Sequence, residues 1–212
     1  MPAQRFTILY ILLMTLVVVA SNVLVQYPLD GMLFGINLAD LLTWGAFTYP
    51  VAFLITDLTN RQFGPKYARL VVIAGFVVGV ALSWYLSMPR IAIASGSAFL
   101  LGQLLDIAVF NCLRRQAWWQ APLFASVIGS TLDTLIFFSF AFAPLFSIFG
   151  PNDDFAIGAG PILGVFATEA PRWISWAIGD LSVKLLVALV MLLPYGALMS
   201  VLKPMPGANK PA

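Results

Sequence analysis

Apolar residues fall in six long runs separated by short polar breaks, at 6–25, 41–58, 70–88, 91–113, 122–149 and 173–202. A hydrocarbon core of about 30 Å takes roughly 20 helical residues to cross, so each run predicts a transmembrane helix. The second run is short and polar at its ends, which predicts a tilted, broken or partly re-entrant segment. The fifth and sixth are overlong. The first has the position of a signal peptide, but no small-residue cleavage site leads from it into a soluble domain, and it reads as a retained span. The expected architecture is all-α: one polytopic helix bundle over 1–212 with six crossings.

The polar breaks orient the bundle, because Lys and Arg in short loops are held on the cytoplasmic side. With the N-terminus inside, alternate breaks collect Arg5, then Arg61, Lys66 and Arg69, then Arg114 and Arg115, then Lys203 and Lys210, which is eight of the eleven basic residues. The opposite breaks hold Asp30 and Asp40, then Arg90, then a Gly- and Pro-rich segment at about 150–172 with Asp153, Asp154 and Glu169. Both termini are therefore expected in the cytoplasm. The 150–172 segment reads as a surface helix or a lid. Trp118, Trp119, Trp173 and Trp176 flank the runs, as interfacial anchors do.

Composition agrees and narrows the chemistry. Hydrophobic residues make up 61% of the chain and charged residues 9%, far below the roughly 25% of an ordinary soluble domain. The net charge of +2 is spread over membrane flanks and forms no stripe for nucleic acid. With no histidine and a single cysteine, Cys112, the chain lacks the commonest metal ligand and any disulfide framework, and no cofactor is expected.

Charges inside the runs are the informative exceptions, since an ionised side chain at membrane depth costs at least about 2.5–3.5 kcal/mol. Asp180 and Lys184 are four apart in the favourable order for a helical ion pair. Asp57 and Arg61 have the same spacing at a cytoplasmic boundary. Asp106 and Asp133 have no opposite charge at i±3 or i±4 and need partners from other helices, water or a ligand. They belong to a repeated stripe: Gly102, Asp106, Phe110 on the fourth run and Gly129, Asp133, Phe137 on the fifth. Paired spans of this kind occur in transporters. Arg90, just before the fourth run, is expected to snorkel to headgroups.

Amides and hydroxyls complete the set: Ser21, Asn22 and Gln26 on the first run, Thr43 and Thr48 on the second, Ser95, Gln103 and Asn111 on the fourth. Carboxylates and amides with aromatic neighbours suit a planar heterocycle, because a guanine-like edge offers two adjacent N–H donors and a carbonyl acceptor. Trp44, Phe47, Phe110 and Phe137 are candidate ring covers. Ordinary interhelical packing accounts for the same residues equally well.

Taken in order, the landmarks are Ser21-Asn22 with Gln26 and Pro28, Thr43-Trp44-Gly45-Ala46-Phe47, Pro50, Phe53, Thr56-Asp57-Leu58, Arg61 and Phe63-Gly64. They continue as Arg90-Ile91-Ala92, Ala94-Ser95, Gly102-Gln103, Asp106, Phe110-Asn111, Trp118-Trp119, Asp133-Thr134, Phe137 and Lys184. This series resembles the queuosine-precursor transporter family, also called the vitamin uptake transporter family, over nearly the whole chain. The 150–172 segment matches least. The resemblance implies a multi-pass bacterial inner-membrane importer of 7-deazaguanines, principally the 7-cyano form with the 7-aminomethyl form as a second candidate, having six helices and no cofactor. On that reading the substrate-binding candidates are Asn22, Gln26, Thr43, Phe47, Ser95, Gln103, Asp106 and Asp133, with the two aspartates on the base edge. Asp57, Arg61, Arg90, Asp180 and Lys184 are assigned to gating or a charge network.

Three alternatives stay open from the sequence. A secondary carrier needs only a mid-membrane site, and the chain has no nucleotide-binding loop. A capture subunit would need a separate energising complex. An intramembrane aspartyl enzyme would need Asp106 and Asp133 within about 3 Å sharing a proton. Proton coupling through Asp106, Asp133 or Asp180 is a further open question. Gly75 and Gly79 form a GxxxG pair that could support a homodimer.

Overall fold

The computed structural model describes the backbone of residues 2–202 and the side chains of 7–202. Lys203 and Lys210, and the side chain of Arg5, lie outside the described residues. Among the described residues eight α-helices and two small hairpins follow in the order α1 (Pro2–Leu24), β1 (Met32–Leu33), β2 (Ile36–Asn37), α2 (Gly45–Thr48), α3 (Pro50–Phe63), α4 (Pro65–Leu86), α5 (Pro89–Leu113), α6 (Gln120–Phe142), α7 (Asp154–Ile157), β3 (Ala159–Pro161), β4 (Glu169–Pro171) and α8 (Arg172–Met199). The chain is a polytopic helical membrane bundle. Among the described residues five helices are long and apolar enough to cross: those at Thr7–Leu24, Pro65–Leu86, Pro89–Leu113, Gln120–Phe142 and Arg172–Val201.

Proline and glycine set the boundaries and explain the departures from the expected runs. The second run is not one helix. Tyr49 keeps helical angles, but Pro50 brings no N–H to the ladder, so α2 and α3 are separate pieces. Gly64, with φ of 88°, then ends α3 and Pro65 opens α4 at its first turn, five residues before the expected 70. The fifth run was expected to continue to 149. Pro144 stops it instead: Ala143 before it is extended, as a residue preceding proline prefers, and 144–149 winds as a 3₁₀ turn.

The broken segment lies back across α1. Tyr10 near the start of α1 donates to Gln62 at the end of α3, while Gly45 at the start of α2 packs on Val25 just beyond the end of α1. A Cβ at Gly45 would stand 2.9 Å from the Val25 Cα, so only glycine permits this approach. Gly45–Gln62 therefore runs antiparallel to α1 over the same depth. At one end of the bundle, Arg114 donates to the Asn60 carbonyl at 2.7 Å and Arg61 to the Tyr195 hydroxyl at 3.4 Å. This end carries Arg61, Lys66, Arg69, Arg114 and Arg115 and is cytoplasmic by charge. The other end carries the hairpin loops with Asp30, Asp40, Asp153, Asp154 and Glu169.

Three expectations are corrected. Arg90 does not snorkel: it is 4% exposed and donates to the carbonyls of Phe140, Ala143, Gly150 and Pro151 and to Asn152 Oδ1, at 2.7–3.2 Å. Pro144 has no N–H to offer the Phe140 carbonyl one turn before it, and a guanidinium fork serves several acceptors at once. Asp57 and Arg61 form no ion pair among the described residues, because Asp57 turns into the bundle and Arg61 turns toward Tyr195. Gly75 and Gly79 face Met14 and Val18 of α1 inside the same chain, so the GxxxG pair is spent on an internal helix contact.

Candidate functional site

The helices α5 and α6 share the most extensive contact in the bundle, and the repeated stripe is the reason. A Cβ on Gly102 would stand 3.0 Å from Asp133 Cβ and 3.1 Å from the Gly129 carbonyl oxygen. One on Gly129 would stand 3.0 Å from the Gly102 carbonyl oxygen and 3.2 Å from Asp106 Cβ. The two antiparallel helices thus cross with each glycine against the other's aspartate. One helical turn separates glycine from aspartate on each helix, and the helices run in opposite directions. Asp133 is carried toward the outer half and Asp106 toward the inner half.

Above the crossing lies a cavity of about 870 Å³, within the range of small-molecule sites. It extends from the outer loops to mid-membrane. Its floor is an ion-paired cluster: Lys184 Nζ stands 2.7 Å from Asp133 Oδ2 and 2.6 Å from Asp180 Oδ2. Tyr49 donates to Asp133 Oδ1 at 3.0 Å, and Thr134 donates to Asp180 Oδ2 at 2.9 Å. Asp133 therefore has both oxygens engaged by protein donors. Asp180 is the more open carboxylate, its side chain 17% exposed, and its Oδ1 has no protein partner among the described residues. Two acids thus surround one lysine at the base of the cavity.

Polar and aromatic groups surround that floor. Ser21, Asn22, Gln26, Thr43, Ser83, Ser87 and Ser95 line one wall; Phe137, Phe138, Phe142 and Trp176 line another. Ser83 donates to Asn22 Oδ1 at 3.1 Å, and Asn22 Nδ2 donates to its own helix at the Val18 carbonyl. Phe155 of α7 stacks on Trp176 at 6.2 Å between ring centroids, and Arg172 sits 4.5 Å from the Phe155 ring centre. The 150–172 segment, expected as a surface helix or a lid, is a one-turn helix and a hairpin at the cavity mouth.

Of the sequence-derived substrate candidates, Asn22, Gln26, Thr43, Ser95 and Asp133 line this cavity, together with Asp180 and Lys184 from the charge-network group. Phe47, Gln103 and Asp106 do not. Phe47 packs beside Leu42 and Val183, Gln103 accepts from Thr56, and Asp106 is fully buried below the crossing, facing Asp57. Arg61 and Arg90 lie at the two ends of the bundle. Tyr49, Thr134, Trp176 and Phe155 belong to the site and were not singled out for it from the sequence. Tyr49 had a visible sign in the Tyr-Pro step that breaks the second run; Trp176 read as an interfacial anchor. Among the described residues no group of histidine, cysteine, aspartate and glutamate could hold a metal ion.

Fold and site together define a multi-pass membrane protein in which one half of the bundle encloses a ligand-sized cavity ending on buried acidic and basic side chains. The chain belongs to the family described as "Putative vitamin uptake transporter", whose model matches residues 43–88 and 82–198. It is 34% identical over 94% of its length to the queuosine precursor transporter of Escherichia coli, covering 90% of that protein. It is 33% identical over 88% of its length to a Haemophilus influenzae protein named probable queuosine precursor transporter, covering 83% of it. A Bacillus subtilis protein of the same name is 26% identical over 49% of the chain. No solved structure matches.

Proposed function

We propose that this chain imports queuosine precursors, with 7-cyano-7-deazaguanine as the preferred form, and that the outer cavity is where the base binds. The observation that carries the proposal is the buried Asp133–Lys184–Asp180 cluster at the cavity floor, in a family whose curated relatives are named for this cargo. Asp180 Oδ1 is the oxygen free to accept from the donor edge of a deazaguanine, and a charged acceptor makes such bonds strong. Asp133, held by Lys184 and Tyr49, fixes the lysine instead of meeting the base. Phe137, Phe138 and Trp176 cover the ring faces, and the serines and Asn22 above serve the rest of the edge.

Six crossings follow in this reading, with Gly45–Gln62 as the interrupted one. Discontinuous helices beside a mid-membrane site are a recurrent feature of secondary carriers. The chain acts as a carrier and not as an aspartyl enzyme: Asp133 is committed to Lys184, and the close α5–α6 crossing stands between it and Asp106. The test is uptake of labelled 7-cyano-7-deazaguanine by purified protein in liposomes. Saturable uptake is the expected result. Binding without uptake would favour a capture subunit of a larger complex, and absence of both would remove the substrate assignment.

A further inference from the structure

The inner half of the bundle contains a second polar site that the cavity does not reach. We propose that Asp57 and Asp106 share one proton and that this proton is the coupling ion of transport, exchanged with the cytoplasmic side through a small cavity below Asp57. The coupling half of the proposal rests on the transport reading above; the shared proton does not.

Asp57 on α3 and Asp106 on α5 are 1% and 0% exposed, and their carboxyl groups lie within hydrogen-bonding reach of each other. Neither forms an ion pair among the described residues. Among the described residues Asp57 Oδ1 and both Asp106 oxygens have no donor from another side chain or from the backbone, while Ser126 lies within hydrogen-bonding reach of the Asp57 carboxyl. Two ionised carboxylates only accept and repel each other, whereas one proton turns the pair into a donor and an acceptor.

An independent feature points to exchange with the cytoplasm. A cavity of about 10 Å³, close to the smallest that admits one water, is lined by Asp57, Ser126, Ser130 and Tyr195. Ser130 is 1% exposed and its hydroxyl has no partner among the described residues, although it lines this cavity. On the cytoplasmic side Tyr195 accepts from Arg61, which leads to the basic end of the bundle. The polar groups around the pair are Thr56 on α3, Gln103 on α5, Ser126 and Ser130 on α6 and Tyr195 on α8. The charged ones are Arg61 and Arg114 beyond Tyr195, and Asp133 and Lys184 across the α5–α6 crossing, already paired together.

The helix α3 links the two sites. Tyr49, at the Pro50 break, holds Asp133 at the cavity floor, and two turns farther along the same segment carries Asp57. Loss of the proton would leave two adjacent buried anions, which α3 and α5 relieve by separating below the crossing. Motion of α3 about Pro50 would then reach the Tyr49–Asp133 contact.

Two readouts test this. The first is infrared difference spectroscopy of the protein in lipid without substrate, comparing wild type with Asp57→Asn and Asp106→Asn. A carboxylic-acid C=O band at neutral pH that is lost or shifted in both variants is expected; a wild type with no such band attributable to these residues overturns the shared proton. The second is gradient-driven uptake in liposomes beside substrate counterflow without a gradient. Wild type should accumulate substrate up to about tenfold per pH unit for each coupled proton, and both variants should lose accumulation while keeping counterflow. Accumulation driven by sodium, or retained in the variants, overturns the coupling. Absence of counterflow and binding in wild type would count against the transport reading and leave the infrared result to judge the proton.

Discussion

Asp133 and Asp106 occupy the same place in two copies of one stripe, yet their surroundings are opposite. Asp133 meets a lysine, a tyrosine hydroxyl and a ligand-sized cavity. Asp106 meets a second carboxyl in a close-packed interior. The glycines that let α5 and α6 touch also decide this, because antiparallel helices sharing a Gly-x-x-x-Asp contact must send their aspartates to opposite halves of the membrane. A local motif therefore gives a crossing with near two-fold symmetry, and the rest of the bundle breaks it: α8 brings Lys184 to one aspartate and α3 brings Asp57 to the other.

The comparison is broken most severely at Lys184. Lys184→Met leaves Asp133 and Asp180 without their cation, and removal of one partner from a buried ion pair costs about 3–5 kcal/mol. Thermal unfolding in detergent should show a large loss for the single variant and partial recovery in Lys184→Met with Asp133→Asn. Equal stability of the single and double variants would mean that the cluster is not coupled as the distances indicate.

The crossing itself is the next target. Gly129→Ala places a methyl against the Gly102 carbonyl and the Phe53 ring, at 3.0 and 2.8 Å, and overpacking of this kind costs about 1–3 kcal/mol. Gly79→Ala meets one side-chain methyl of Val18 at 3.2 Å and should cost less. Denaturation midpoints of the two variants check the order, and a reversal would show that α5 and α6 are not held by their glycines. The smallest change in stability is expected for Asp106→Asn, which keeps the shape and removes the need for a buried proton. A loss above about 2 kcal/mol there would reveal a cation partner for Asp106 instead.

Much of this was legible in the chain. The apolar runs predict a polytopic helical bundle, and five of the six coincide with helices long and apolar enough to cross, since this pattern reflects the bilayer and needs no knowledge of neighbours. The i,i+4 spacing of Asp180 and Lys184 also survives folding as a real ion pair. What could not be read was which helix faces which. Asp57 and Arg61 share the same spacing, but tertiary contacts turned one into the bundle and the other toward Tyr195. Arg90 has the position of a headgroup-snorkelling residue, and is a tether only because the chain after α6 turns back over it. Trp176 had the address of an anchor and the environment of a cavity wall.

The central claim is that the ligand meets the Asp133 half and not the Asp106 half, and equilibrium binding of 7-cyano-7-deazaguanine to the purified protein tests it directly. Asp180→Asn removes a charged hydrogen bond worth about 1.5–3 kcal/mol and should weaken binding by about ten- to a hundredfold. Asp106→Asn should leave affinity at a fixed pH within about threefold, a change of under ~1 kcal/mol. Binding that persists in Asp180→Asn and collapses in a folded Asp106→Asn would contradict the assignment and move the site to the inner half of the bundle.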